Sequence, residues 1–197
     1  KQIHPKLRDV TLDELLSHRS GLRRDLGGNE WVSFFQEKDS PSAERRRMLK
    51  LLLNEKPEHP RGIYHYSNVG FVVAAAMLEK STGQEFETLM LRDVFKPLKM
   101  DSADFRTMKS ARKLKAPLLW GHRSNGKPIS PKIAGAENPS AYAPAGTVKV
   151  SIADYANYAQ WHLKNQPAPV LSTQQALDHL HTGQIKRPSG SGKYGGG

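Results

Sequence analysis

Between Asn68 and Gly83 the chain reads NVGFVVAAAMLEKSTG, and this run restricts the possible fold more than any other stretch. A surface helix keeps one polar face, whereas residues 69–78 are apolar nearly all round the helical wheel, which predicts a helix buried on most sides. Gly83 is placed to end it, because glycine adopts the left-handed closing conformation without a Cβ penalty. A helix of this kind must be covered by other elements. With 197 residues, 37% of them hydrophobic, the chain has the length and the apolar content for one domain core.

The flanking segments carry frequent helix punctuation. TLDELLSHRSGL opens with Thr11 as N-cap and Glu14 three residues on, a capping box, with Leu12, Leu15 and Leu16 on one face and Gly21 placed to end the helix. SPSAERRRMLKLLLNE predicts a second helix capped by Ser40 or Ser42, with Pro41 in its first turn. Met48, Leu49, Leu52 and Leu53 then face inward, and Arg45, Arg46 and Arg47 face mostly water. QEFETLMLRDVFKPL places Phe86, Leu89, Met90 and Phe95 at helical spacing until Pro97 prevents continuation. Residues 101 to about 145 are rich in proline and read as loops, with Asn125-Gly126 forming a tight hairpin turn. SIADYANYAQWHL restores helix behind Ser151, with Ile152, Tyr155 and Tyr158 on one stripe, and Ser172 with Gln175 caps a last helix before the glycine-rich SGSGKYGGG. Few strands are recognisable, so the pattern predicts a helix-rich chain with little sheet.

Charge and composition narrow the chemistry. Thirty Lys and Arg against 19 Asp and Glu give a net charge of +11, which favours anionic partners. The absence of cysteine excludes disulfides and thiolate catalysis. No stretch approaches the roughly 20 apolar residues of a membrane span, and KQIHPKLRDV has no apolar signal-peptide core, so any targeting segment is expected outside this chain. The eight histidines lack metal-ligand spacing, which predicts no metal site. SGSGKY fails as a phosphate loop because Arg187 stands where the first glycine belongs and Tyr194 replaces Ser or Thr.

Three blocks, VTLDELLSHRSGL, YHYSNVGFVVAAAMLEKSTGQEFETLMLRDVFKPLKM and APAGTVKVSIADYANYAQWHL, together resemble the middle of the penicillin-recognising serine hydrolases. This group contains cephalosporinase-type β-lactamases, D-alanyl-D-alanine carboxypeptidases and related esterases. The resemblance implies an α+β fold of the β-lactamase/transpeptidase type, with residues 1–197 forming a single partial domain, mostly its helical part. It implies attack of a serine on an amide or ester carbonyl, an acyl-enzyme and its hydrolysis, with no cofactor, on small-molecule or peptide substrates in the periplasm or outside the cell. It also maps the family's Tyr-x-Asn motif onto Tyr66, Ser67 and Asn68. Tyr66 would be the catalytic proton shuttle and Asn68 the substrate-binding amide. A phenol is a poor base at neutral pH, so a neighbouring ammonium must favour the phenolate. Tyr64 reads as a packing residue, and Ser67 as a helix cap rather than a nucleophile.

The partner of Tyr66 would be a Ser-x-x-Lys on a helix upstream of Thr11, where this sequence has none. Ser110 to Lys113 and Ser124 to Lys127 match the pattern but follow Tyr66, as chance predicts for a chain rich in both residues. His181-Thr182-Gly183 matches the family's third motif, yet reads better as a helix end. The expectation is therefore a chain that lacks the N-terminal nucleophile segment and the C-terminal strands and does not catalyse alone. Two rival readings are a noncatalytic domain binding polyanions through Arg45 to Arg47 and Lys109 to Lys115, and a degenerate relative without chemistry. No nucleic-acid-binding motif accompanies the charge, so no specific nucleic-acid partner is expected.

Overall fold

The computed structural model describes residues 3–36, 39–105, 121–130, 133, 135–183, 185–186 and 193–194. Helices dominate them: α1 (Leu12–Leu16), α2 (Gly28–Ser33), α3 (Pro41–Leu52), α4 (Asn68–Thr82), α5 (Phe86–Met90), α6 (Ala143–Gly146), α7 (Ile152–Lys164) and α8 (Gln174–His181). Short 3-10 turns join several of them, and a π-helical turn, Leu91–Phe95, extends α5 before Pro97. Among the described residues the only sheet is an antiparallel pair, β1 (Ile185–Lys186) with β2 (Lys193–Tyr194). Residues Ser110 to Lys113 and Lys109 to Lys115 lie outside the described residues.

Helix α4 is the core element, as its sequence predicts. Val69, Val72, Val73, Ala74, Ala75 and Ala76 are buried, and Gly83 closes the helix at φ 69°. The covering surface is not a sheet but other helices: α1, α3, α5 and α6 all pack on α4. Leu15, Leu22, Phe34, Met48, Leu52 and Tyr142 complete this first core with Val69 and Val72. Each fully buried valine, leucine or phenylalanine contributes about 1.5–3 kcal/mol. A second core joins Phe95, Leu98, Met100 and Ala103 to Trp161 of α7 and Leu177 of α8.

The local caps form where expected. Thr11 and Glu14 make the capping box of α1, Ser40 caps α3 with Pro41 in its first turn, and Ser151 caps α7. The Asn125-Gly126 turn is closed by the Arg123 amide donating to the Lys127 carbonyl at 2.9 Å, so Ser124 to Lys127 is a turn and not a helical Ser-x-x-Lys. Three local expectations are corrected. Helix α1 ends at Leu16, because the Ser17 hydroxyl bonds back to the Asp13 carbonyl and His18 turns into the left-handed region at φ 59°. Gly21 instead permits close backbone contact: at φ 78°, a Cβ there would stand 2.5 Å from the His59 carbonyl oxygen. Helix α8 is capped by Thr173, whose hydroxyl accepts from the Ala176 amide, and not by Ser172.

On α7, Ile152 and Tyr155 are 84% and 52% exposed, and the inward face is carried by the half-buried Tyr158 and buried Trp161. Asp154 accepts from the Ser102 amide at 2.7 Å and Asn157 donates to the Lys99 carbonyl at 3.2 Å. These polar anchors fix the rotation of the helix against the apolar stripe.

The expectation that Arg45 faces water is wrong. Arg45 is 0% exposed, because it stands on the same stripe as Met48 and Leu52, three and seven residues on. Its guanidinium bonds Glu79 of α4 and reaches both carboxylate oxygens of Glu87 on α5, at 2.8 and 2.7 Å. Glu79 also accepts from the Phe86 amide at 3.0 Å and the Ser42 hydroxyl at 3.1 Å. Burial is the largest influence on the Glu79 carboxyl and pushes its pKa up. The bonds from Arg45, Phe86 and Ser42, with the Arg45 charge, outweigh it and hold the group below its usual range. Arg46 is exposed and bonded to Ser42, while Arg47 pairs with Glu44 and lies 3.8 Å over the Phe34 ring. Arg45 is therefore unavailable to a polyanion. Replacing it with Ala strands two carboxylates, and Arg45→Ala is expected to cost about 3–5 kcal/mol in urea unfolding; a loss below about 1 kcal/mol would contradict a buried pair.

Candidate active site

The start of α4 is built by two chain segments lying backbone to backbone. The His59 amide donates to the Gly21 carbonyl at 3.1 Å, Gly62 to Arg19 at 2.8 Å, His65 to His18 at 2.8 Å and Asn68 to Arg24 at 2.9 Å. Arg61 bonds Glu14 and the Asp9 carbonyl, anchoring the second segment to α1. That bond is the main reason the Glu14 carboxyl falls to about 2, although partial burial opposes it.

Ser67 is the hinge between this strap and the helix. Its hydroxyl donates to the Arg23 carbonyl at 2.7 Å and accepts from the Gly70 amide at 3.0 Å, so it caps α4 and is not free as a nucleophile. The Ser67 amide donates to Nδ1 of buried His18 at 3.1 Å. Gly70 lets the helix settle on α1, since a Cβ there would lie 3.0 Å from the Leu15 carbonyl oxygen. Tyr64 packs edge-on to the His18 ring, as its packing role predicts.

This scaffold holds Tyr66 and Asn68 together. The Tyr66 hydroxyl donates to Asn68 Oδ1 at 3.0 Å, and Asn68 Nδ2 donates to Asp25 Oδ1 at 2.8 Å. The Tyr66 ring lies 4.5 Å from the His18 ring on one side and 5.4 Å from the Arg24 guanidinium. At 44% exposure its phenol is open to a ligand. The phenol oxygen can still accept, and the Asn68 amide has a second N–H to offer. The pair can thus pass a proton and orient a carbonyl, given a partner that bears the reacting bond.

His18, Arg24 and Asp25 are the residues that sequence reasoning missed. The SHRSGL segment carried a signal in its close succession of a polar residue, a histidine and a glycine, which marks a chain reversal rather than a helix end. Tyr142 also contacts this region, accepting from the Leu26 amide at 2.9 Å, but burial pushes its phenol up to about 12, so it stays neutral. Among the described residues no three His, Cys, Asp or Glu side chains gather to hold a metal ion. His181-Thr182-Gly183 is the end of α8, with Thr182 as its C-cap.

Burial holds the His18 pKa below its ordinary value. Only the neutral ring can accept the Ser67 amide at Nδ1. A histidine depressed in the folded state binds fewer protons than in the unfolded chain, so its contribution to stability is lost as pH falls from about 6.5 through the folded value. Asparagine tolerates φ 59° and can offer a carbonyl to the same amide without titrating. His18→Asn is expected to flatten the fall in unfolding free energy between pH 7.5 and 5.5; an unchanged slope would show that His18 does not carry it.

Comparison with known proteins agrees with this architecture. The family model described as Beta-lactamase matches residues 4–197. The unguisins hydrolase of Aspergillus campestris is 27% identical over 159 residues, which is 81% of this chain and 29% of that protein. Penicillin-binding protein 4* of Bacillus subtilis is 32% identical over 96 residues, 47% of this chain and 20% of its own length. Among solved structures, a D-alanine carboxypeptidase from Burkholderia cenocepacia aligns at TM-score 0.61 and 25% identity, covering 88% of this chain and 42% of that one. A penicillin-binding protein from Bacillus halodurans aligns at TM-score 0.68 and 18% identity, covering 98% and 57%. The fold is thus of the β-lactamase/transpeptidase type, with the described residues supplying mostly its helical part. The chain spans less than a third of these curated relatives and about half of the solved structures.

Proposed function

Because the chain belongs to the beta-lactamase family, we propose that it forms the tyrosine-and-asparagine wall of a serine acyl hydrolase cleaving amide or ester bonds. The family match across residues 4–197, with Tyr66 and Asn68 side by side and accessible at the head of α4, carries this reading. A serine attacks the carbonyl, Tyr66 takes and returns its proton, Asn68 orients the substrate amide, and water hydrolyses the acyl-enzyme. The phenol must exchange its Asn68 contact for a lysine ammonium, which would make the phenolate accessible at neutral pH. In this reading residues 1–197 are one partial domain, and the serine, its lysine and the C-terminal strands come from further sequence. The relatives include a D-alanine carboxypeptidase and a hydrolase of unguisins, so peptide-like amides are the substrate class to test first. Action in the periplasm or outside the cell is part of the same proposal; among the described residues no helix is long and apolar enough to cross a membrane.

The test joins this chain to a Ser-x-x-Lys helix and the strands of its fold and follows a chromogenic peptide-like amide first, then an ester or β-lactam. Tyr66→Phe is expected to lower turnover by about 10²- to 10⁴-fold, the usual worth of general acid–base assistance, with the melting temperature almost unmoved. Near wild-type turnover in that variant, or loss only through unfolding, would overturn the assignment. The 197-residue chain alone is expected to show no turnover.

A further inference from the structure

Outside the Tyr66 site, helices α7 and α8 bring two imidazoles together. His162 Nδ1 lies 2.8 Å from His181 Nε2, with the ring centroids 5.1 Å apart. The His162 ring is fixed on its own helix, edge-on to Tyr158 at 4.6 Å and against Trp161 at 4.4 Å. Trp161 is in turn held by its indole N–H donating to the Pro167 carbonyl at 3.2 Å. His181 is exposed at the end of α8 and free to adjust. We propose that His162 and His181 form a two-histidine clip for a divalent transition-metal ion of the zinc type, joining α7 to α8.

The geometry is close to what such an ion needs. Two nitrogens each about 2.05 Å from a tetrahedral zinc stand about 3.3 Å apart, so the pair has to open by about half an ångström. The exposed His181 supplies that movement. Imidazole suits zinc, nickel and copper and is a poor ligand for magnesium, which sets the expected selectivity. In the metal-free pair one ring donates its N–H to the other. Metal binding moves that proton, through solvent, to the same ring's other nitrogen, so both rings stay neutral and both lone pairs meet the ion. Water fills the other coordination positions, since no third His, Cys, Asp or Glu joins the pair among the described residues.

The other close histidine pair does not offer this. His59 and His65 are stacked at 3.7 Å with ring planes 4° apart, so their in-plane lone pairs run parallel and cannot converge on one ion. The clip bridges the second core, where Trp161 and Leu177 pack, so binding stabilises the fold by mass action.

The experiment uses the whole 197-residue chain without affinity tags. Zinc is expected to raise the melting temperature in a saturable way, magnesium to leave it unchanged, and copper to quench the fluorescence of Trp161 beside His162. His181→Ala removes an exposed side chain, so the variant folds, and it is expected to weaken both responses on the order of 10-fold or more. His162→Gln should do the same. A wild-type chain that ignores zinc and copper, or a His181→Ala chain that binds them as tightly as wild type, would overturn the proposal.

Discussion

The guanidinium of Arg45 is cut off from water, and the helices α3, α4 and α5 that meet around it must stay close enough for Glu79 and Glu87 to reach it. A charge in that position costs several kcal/mol of lost hydration, which only well-placed opposite charges offset. The cluster therefore acts as a spacer with little tolerance. It fixes the far end of α4, and because α4 is one rigid rod of 15 residues, it also fixes the direction in which its first turn points.

The near end of α4 answers to a different constraint. There the helix approaches α1 so closely that a Cβ at Gly70 would crowd the Leu15 carbonyl, and the amides of the first turn are taken up by the Arg24 carbonyl and, for Gly70, by the Ser67 hydroxyl. His18, in a left-handed conformation uncommon for residues other than glycine, accepts the Ser67 amide and lies tilted against the Tyr66 ring. The accessible Tyr66–Asn68–Asp25 chain thus rests on buried groups with few alternatives. The half-exposed phenol of this candidate site is thereby held in place by the buried residues behind it.

Part of the positive charge is paired within the fold. Arg45, Arg47, Arg23, Arg61 and Arg92 all pair with carboxylates, and Arg19 pairs with Asp13. Of the arginine run at the start of α3, Arg45 is turned inside the protein, whereas Arg46 is exposed and Arg47 partly so. The polyanion-binding alternative loses Arg45 from its surface, while the family match favours the hydrolase reading.

The sequence by itself determined what one or two turns of chain can decide. The Thr11–Glu14 box, the cap at Ser151, a serine cap with Pro41 at the start of α3, the Gly83 stop, the Asn125-Gly126 turn and the burial of α4 were all legible. These features join residues within a few positions, where backbone geometry leaves little choice. The tertiary structure decided which helices cover α4, that Arg45 turns inward, that Gly21 meets His59, and that His18 and Asp25 stand behind the site. Those pairs join residues 34 to 49 positions apart. No local pattern encodes such a meeting, because it depends on how apolar faces exclude water together and on which buried charge finds its counterion there.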